Sequence, residues 1–154
     1  MRYFLNIIFA LTVALAASAQ NTDKIYKEAK ALYEQKDYAT AVPKLKVAAE
    51  KGKKGAQYRL ARCYDKGHGV AENNAEAVKW YRKAAQQGHA KSQYQLGKSY
   101  MKGKNGLPAD EQQAKTWLTK AIKNEKDGSG ILKKMRTEAK EGDEDAKRML
   151  KLVG

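Results

Sequence analysis

The sequence predicts an all-α fold, an α/α solenoid of antiparallel helix hairpins, and three observations carry that expectation. First, one helix is spelled repeatedly. "AVKWYRKAAQQGHA" (Ala77 to Ala90) is echoed 36 residues earlier by "AVPKLKVAAEKGKK" and 37 residues later by "AKTWLTKAIKNEKD". Second, the flanking segments match in phase. Leu60, Tyr64 and Gly67 meet Leu96, Tyr100 and Gly103 at 36 residues, and Gly69, Ala77 and Trp80 meet Gly106, Ala114 and Trp117 at 37. The inserted residue falls near Lys104-Asn105, in a glycine-rich loop, where a change of length costs least. Third, Ala56, Leu60 and Tyr64 recur every four positions, one apolar stripe along a helix. Such a period marks an array in which each unit completes its neighbour's core.

Taken in order, the chain opens with "MRYFLNIIFALTVALAASAQN": a single cation, Arg2, an apolar run from Tyr3 to Ala17, and small residues Ala17-Ser18-Ala19. This pattern predicts a cleavable signal peptide over residues 1–19, cut after Ala19, and hence a periplasmic or secreted protein. The run is short for a membrane span, so membrane contact is expected only through this segment if it stays uncleaved. No cysteine follows it at a lipid-attachment position. Residues 20–154 are expected to form one solenoid domain, with units at about 22–52, 53–88 and 89–128 and capping helices over 129–154.

The first unit, "IYKEAKALYEQKDYATAVPKLKVAAEKG", turns tightly at Lys36-Asp37, and Pro43 should bend its second helix or free the Ala39 carbonyl. In the second and third units Gly67 and Gly69 supply the positive φ needed to turn back. Asn73 and Asp110, each with Glu76 or Gln113 three residues on, read as capping boxes. The following helix points Ala77, Trp80, Tyr81, Ala84 and Ala85 inward and ends at Gly88. At the C-terminal end, "AKEGDEDAKRML" repeats the junction between units: Ala139, Gly142, Ala146 and Leu150 match Ala49, Gly52, Ala56 and Leu60. The last two helices are expected to cover the apolar face that the array would otherwise expose.

These units resemble Sel-one-like repeats (SLR), whose pattern runs Ala-x-x-x-Leu-Gly-x-x-Tyr, Gly-x-Gly, Ala-x-x-Trp, Ala-Ala-x-x-Gly. The match extends from Ala56 to about Gly128, with Ala61 in place of one glycine and Glu125 in place of another. The first unit looks more like a tetratricopeptide repeat, through "ALYEQKDYATAV". The resemblance implies a right-handed superhelix with a concave inner surface and a protein-binding scaffold function.

Chemistry-bearing patterns are few. His68 and His89 have no cysteine or histidine at ligand spacing, so neither a metal nor a cofactor is expected, and both read as solvated loop residues. "GKS" at Gly97 to Ser99 lacks the glycine of a phosphate loop, since that place is Ser92. Glu141, Asp143, Glu144 and Asp145 sit at a helix start, where the dipole explains them. Cys63 is the only cysteine, which excludes an internal disulfide, and "LARCY" places it in the core. No catalytic residue or small-molecule substrate is indicated.

Charge is the remaining signal. The chain carries 31 Lys and Arg against 17 Asp and Glu, a net charge of +14, of which Arg2 lies in the leader. Such a protein is attracted to anionic partners. Export argues against nucleic acid and toward an acidic or extended protein segment, with an anionic glycan, lipopolysaccharide or other non-protein polyanion as the alternative. A tyrosine is followed four residues later by a cation in each first helix: Tyr26 and Lys30, Tyr58 and Arg62, Tyr94 and Lys98, with Lys66 and Lys102 one turn further. Four residues apart means one helical face. Under the tetratricopeptide-like geometry these eight residues are expected to line the concave groove as a partner-binding ladder. The competing expectation is that the tyrosines pack between helices.

Overall fold

A computed structural model describes the backbone of residues 2–154 and the side chains of Ala16 and residues 18–154. Most of the expected signal peptide, 1–19, therefore lies outside the described side chains. Among the described residues there are eight helices and no strand: α1 (Arg2–Glu34), α2 (Tyr38–Glu50), α3 (Lys54–Lys66), α4 (Asn74–Gln86), α5 (Ala90–Lys102), α6 (Glu111–Ile122), α7 (Gly128–Lys140) and α8 (Glu144–Val153). Consecutive helices pair as four hairpins, and α2 packs on α3 and α4 on α5 between them. The result is the helical array that the repeats predicted. α1 runs unbroken through the expected cleavage point, and its first described buried side chain is Thr22.

Helix boundaries follow their capping chemistry. Asp37, Asn73, Asp110 and Asp143 each accept a hydrogen bond from the backbone N–H three residues on, at 3.2, 3.0, 2.9 and 2.8 Å. Glu76 goes elsewhere than the expected box: it accepts from Lys79 Nζ (2.8 Å) and Trp80 Nε1 (3.0 Å). α3 and α5 stop where Gly67 and Gly103 turn left-handed, and α2 continues through Pro43.

The apolar faces meet in two clusters. One runs from Ala29 to Leu107 and takes in Leu45, Leu60, Trp80, Tyr81 and Leu96, with Trp117 packed against it. The other joins Tyr94, Leu118, Ile131, Met135 and Met149, and Tyr100 touches both. Cys63 lies fully buried in the first, where loss of solvation pushes its thiol up to about 11.

Neighbouring units are also tied by polar contacts. Gln57 Nε2 donates to the Ala49 carbonyl (3.0 Å), and Gln93 Nε2 donates to the Ala85 carbonyl (3.1 Å). Both glutamines are buried, and each adds a second hydrogen bond to a helix-end carbonyl that already accepts the N–H of Gly52 or Gly88. The long loops fold back on the preceding unit: Leu107 is buried in the first cluster, and Asn105 Nδ2 donates to Asp65 (3.3 Å). Close approach constrains several glycines, two of them where loops and helices pack together. A Cβ on Gly97 would stand 2.6 Å from Leu118 Cγ, a side chain that can shift in part. On Gly69 it would stand 2.6 Å from the Tyr38 carbonyl, at a φ of +69°.

Gly69→Ala is therefore expected to cost about 2–3 kcal/mol, combining left-handed strain with a backbone collision. Urea unfolding of the wild type and variant measures this; a change below about 0.5 kcal/mol would show that the loop does not dock on Tyr38.

Candidate functional site

α1 touches α3 and α5 touches α7, while α3 and α5 meet less closely and leave a valley between them. The valley holds a cavity of about 650 Å³ with Tyr58, Arg62 and Lys66 on α3, Lys91 and Gln95 on α5, and Ile131 and Lys134 on α7. The turn before α7 closes it with Lys126 and Asp127. Five cations therefore face one carboxylate.

Arg62 is the centre of this wall. Its guanidinium carbon lies 6.0 Å from the Tyr58 ring centroid, and it pairs with no carboxylate among the described residues. Burial opposes its charge, yet the hydroxyls of Tyr33, Tyr58 and Tyr81 more than offset that, holding its pKa above the ordinary value. The site thus presents a permanent, half-buried positive charge on an aromatic wall.

A second cavity, about 310 Å³, adjoins the first and shares Lys66 and Gln95 with it. Its rim carries Lys98, Lys102 and Lys104 with Asp65 and Glu72. Asp65 is already engaged, by Asn105 and by Lys66 at 3.3 Å. Burial, followed by repulsion from Lys98 and Lys104, lowers the pKa of Lys102, which also pairs with Asp145 of α8.

The eight predicted site residues do not form one ladder. Tyr58, Arg62 and Lys66 come together in the first cavity, and Lys66, Lys98 and Lys102 in the second. Tyr94 is buried beneath α7: its hydroxyl donates to Glu138 (3.2 Å), and Lys134 and Lys98 lie 5.3 and 5.6 Å from its ring. Tyr26 turns away from Lys30 and accepts from Arg59 Nη1 (2.8 Å), while Lys30 reaches Glu34 at 3.8 Å. The groove residues Lys91, Gln95, Lys104, Lys126 and Lys134 were missed, because no pairing at helical spacing marks them.

The histidines differ from expectation. His68 stacks on Tyr38 at 4.3 Å, and His89 lies 4.7 Å from the Tyr58 ring, so each packs on the preceding unit instead of standing in solvent. His89 Nδ1 also accepts the Ser92 N–H (3.3 Å), capping α5. Burial, with repulsion from Lys54 and Lys91, lowers its pKa to about 4 despite Asp127 nearby. Among the described residues no group of histidine, cysteine and acidic side chains could hold a metal ion, and no helix is long and apolar enough to cross a membrane.

Comparison with known proteins places the array. The Sel1 repeat family model matches residues 55–89 and 90–125, under half of the chain. A Sel1 repeat protein from Oxalobacter formigenes is 42% identical, with a TM-score of 0.52, over 54% of this chain and 63% of that one. A protective antigen present in uropathogenic Escherichia coli strains, displaying an SLR fold, is 28% identical with a TM-score of 0.65. That match covers 89% of this chain and 30% of the antigen, so the chain spans under two thirds of either relative. No curated protein matches the chain. Sel1 repeats generally mediate protein–protein interaction, on a scaffold fold that is not itself enzymatic.

The lowered pKa of His89 gives a pH dependence of known sign. Its neutral form is favoured in the folded chain, so its contribution is complete above the unfolded value of about 6.5 and is lost as pH falls toward about 4. Thermal midpoints should fall between those limits, and His89→Asn, which keeps a capping acceptor, should flatten that part of the profile. An NMR titration midpoint for His89 above 6 would refute the assignment.

Proposed function

We propose that this Sel1-repeat array is an exported, non-enzymatic scaffold that binds an acidic, extended segment of another protein through the groove between α3, α5 and α7. Arg62 is the observation that carries this reading. A guanidinium held half-buried beside Tyr58, with no carboxylate paired to it among the described residues, gains most from an anion brought by a partner. Lys66, Lys91, Lys126 and Lys134 surround it, and Tyr58 and Ile131 provide apolar contact area. Titration of a synthetic acidic peptide should show Arg62→Ala weakening binding about ten- to hundred-fold. Raising salt from roughly 0.05 to 0.5 M should weaken it further. An unchanged affinity in Arg62→Ala, or a flat salt response, would remove the groove from consideration. A sulfated polysaccharide bound as tightly as the peptide would move the reading to a non-protein polyanion.

Export rests on the leader pattern at the start of the chain. Ser18 and Ala19 are exposed, and Thr22 is the first described buried side chain of α1, so a cut after Ala19 removes no described buried side chain. N-terminal sequencing of the protein recovered outside the cytoplasm should begin at Gln20. Recovery only inside, with residues 1–19 still attached, would overturn export.

A further inference from the structure

The two cavities of the valley lie end to end along the same pair of helices. Tyr58 and Arg62 of α3 and Lys91 of α5 line the first, whereas Asp65 of α3 and Lys98 and Lys102 of α5 line the second. Lys66 and Gln95 belong to both, so no wall separates them. Each end holds cations that the fold leaves without enough acid. At the first, Arg62 has no carboxylate; at the second, Lys98 and Lys104 pair with no carboxylate among the described residues, while Asp65 is bound to Asn105 and Lys66 and Lys102 pairs with Asp145, leaving Glu72 as the one unengaged acid of that rim. Between the two ends stand Lys66, already paired with Asp65 at 3.3 Å, and the uncharged Gln95. Gln95 makes no hydrogen bond among the described residues, and the Tyr81 hydroxyl beneath it is buried without a partner. Gln95 approaches that hydroxyl without reaching hydrogen-bond geometry.

We infer that the valley is one channel with two anion subsites, taking a single extended peptide whose two acidic side chains sit about three to five residues apart. The spacing follows from α5. Lys91 to Lys98 spans roughly 10 Å of helix and Lys91 to Lys102 roughly 16 Å, against about 3.3 Å per residue of extended chain. Between the subsites Gln95, with both a donor and an acceptor, pairs with the peptide's own amide groups. That requirement selects a polypeptide over a uniformly charged polymer. The inference rests on the groove reading above and deepens it, adding a register to the charge.

Fluorescence anisotropy with the full chain tests it, using labelled peptides of equal composition. One carries two glutamates about four residues apart, one carries them adjacent, and one has a single glutamate with a glutamine for the second. The spaced peptide should bind at least about ten-fold tighter than the other two. Lys98→Ala should abolish that advantage, and Lys104→Ala, in an exposed loop, should reduce it in the same direction. Affinity that depends on the number of acids and not on their spacing would overturn the two-subsite channel alone, provided Arg62→Ala still weakens every peptide. If Arg62→Ala changes none of them, or no peptide binds, the groove reading fails together with it.

Discussion

A hairpin made of two 13-residue helices has more apolar surface than its own partner helix can cover. The second unit shows the consequence: α4 turns Ala77, Ala84 and Ala85 and the larger Trp80 and Tyr81 into the interior, and they are buried because α3 and α5 close on them from either side. Small side chains at the contacts let the backbones approach, and the aromatic rings fill the space between hairpins. Stacking also fastens helix ends: Gln57 and Gln93 each add a second hydrogen bond to the carbonyls of Ala49 and Ala85, which already accept from Gly52 and Gly88. At the far end, α7 and α8 close the stack through Met135 and Met149.

Because apolar side chains are used up between units, the valley side of α3 and α5 is left to tyrosines, lysines and arginine. Placing cations there is unfavourable in the free protein: burial, and then repulsion from Lys98 and Lys104, depress the protonation of Lys102, and Arg62 loses part of its solvation. Folding tolerates this because the alanine and leucine contacts beneath are dense and fully buried. Carboxylates offset the valley only in part: Asp145 of α8 pairs with Lys102, Glu138 of α7 reaches Lys134 at 3.7 Å as well as Tyr94, and Arg62 is left without one among the described residues. The surface is therefore poised toward anions by what the stack needs internally.

The fold was legible because its determinants lie at fixed spacing along the chain. The 36-residue period, the four-residue stripe and the capping side chains at Asn73 and Asp110 are all local patterns, and each holds. The candidate site was legible only in part. Helical spacing correctly put Arg62 beside Tyr58 and Lys98 beside Tyr94, since four residues make one turn. It could not say which of those faces stays open, because α7, whose Glu138 lies 44 residues beyond Tyr94, decides that. His68 and His89 were misplaced for the same reason: each packs against a tyrosine of the preceding unit, and nothing between Tyr38 and His68, or Tyr58 and His89, announces the contact. Capping boxes were half right, as Trp80 drew Glu76 away from the backbone.

The glutamine at each junction has a bearing on how such chains arise. Gln57 and Gln93 stand in the same register, and each reaches a carbonyl 8 residues back. A tandem duplication of one period would thus deliver a module already carrying its own fastening, with no second mutation needed to seat it. Each added period would extend the valley between first helices without rewriting the modules on either side.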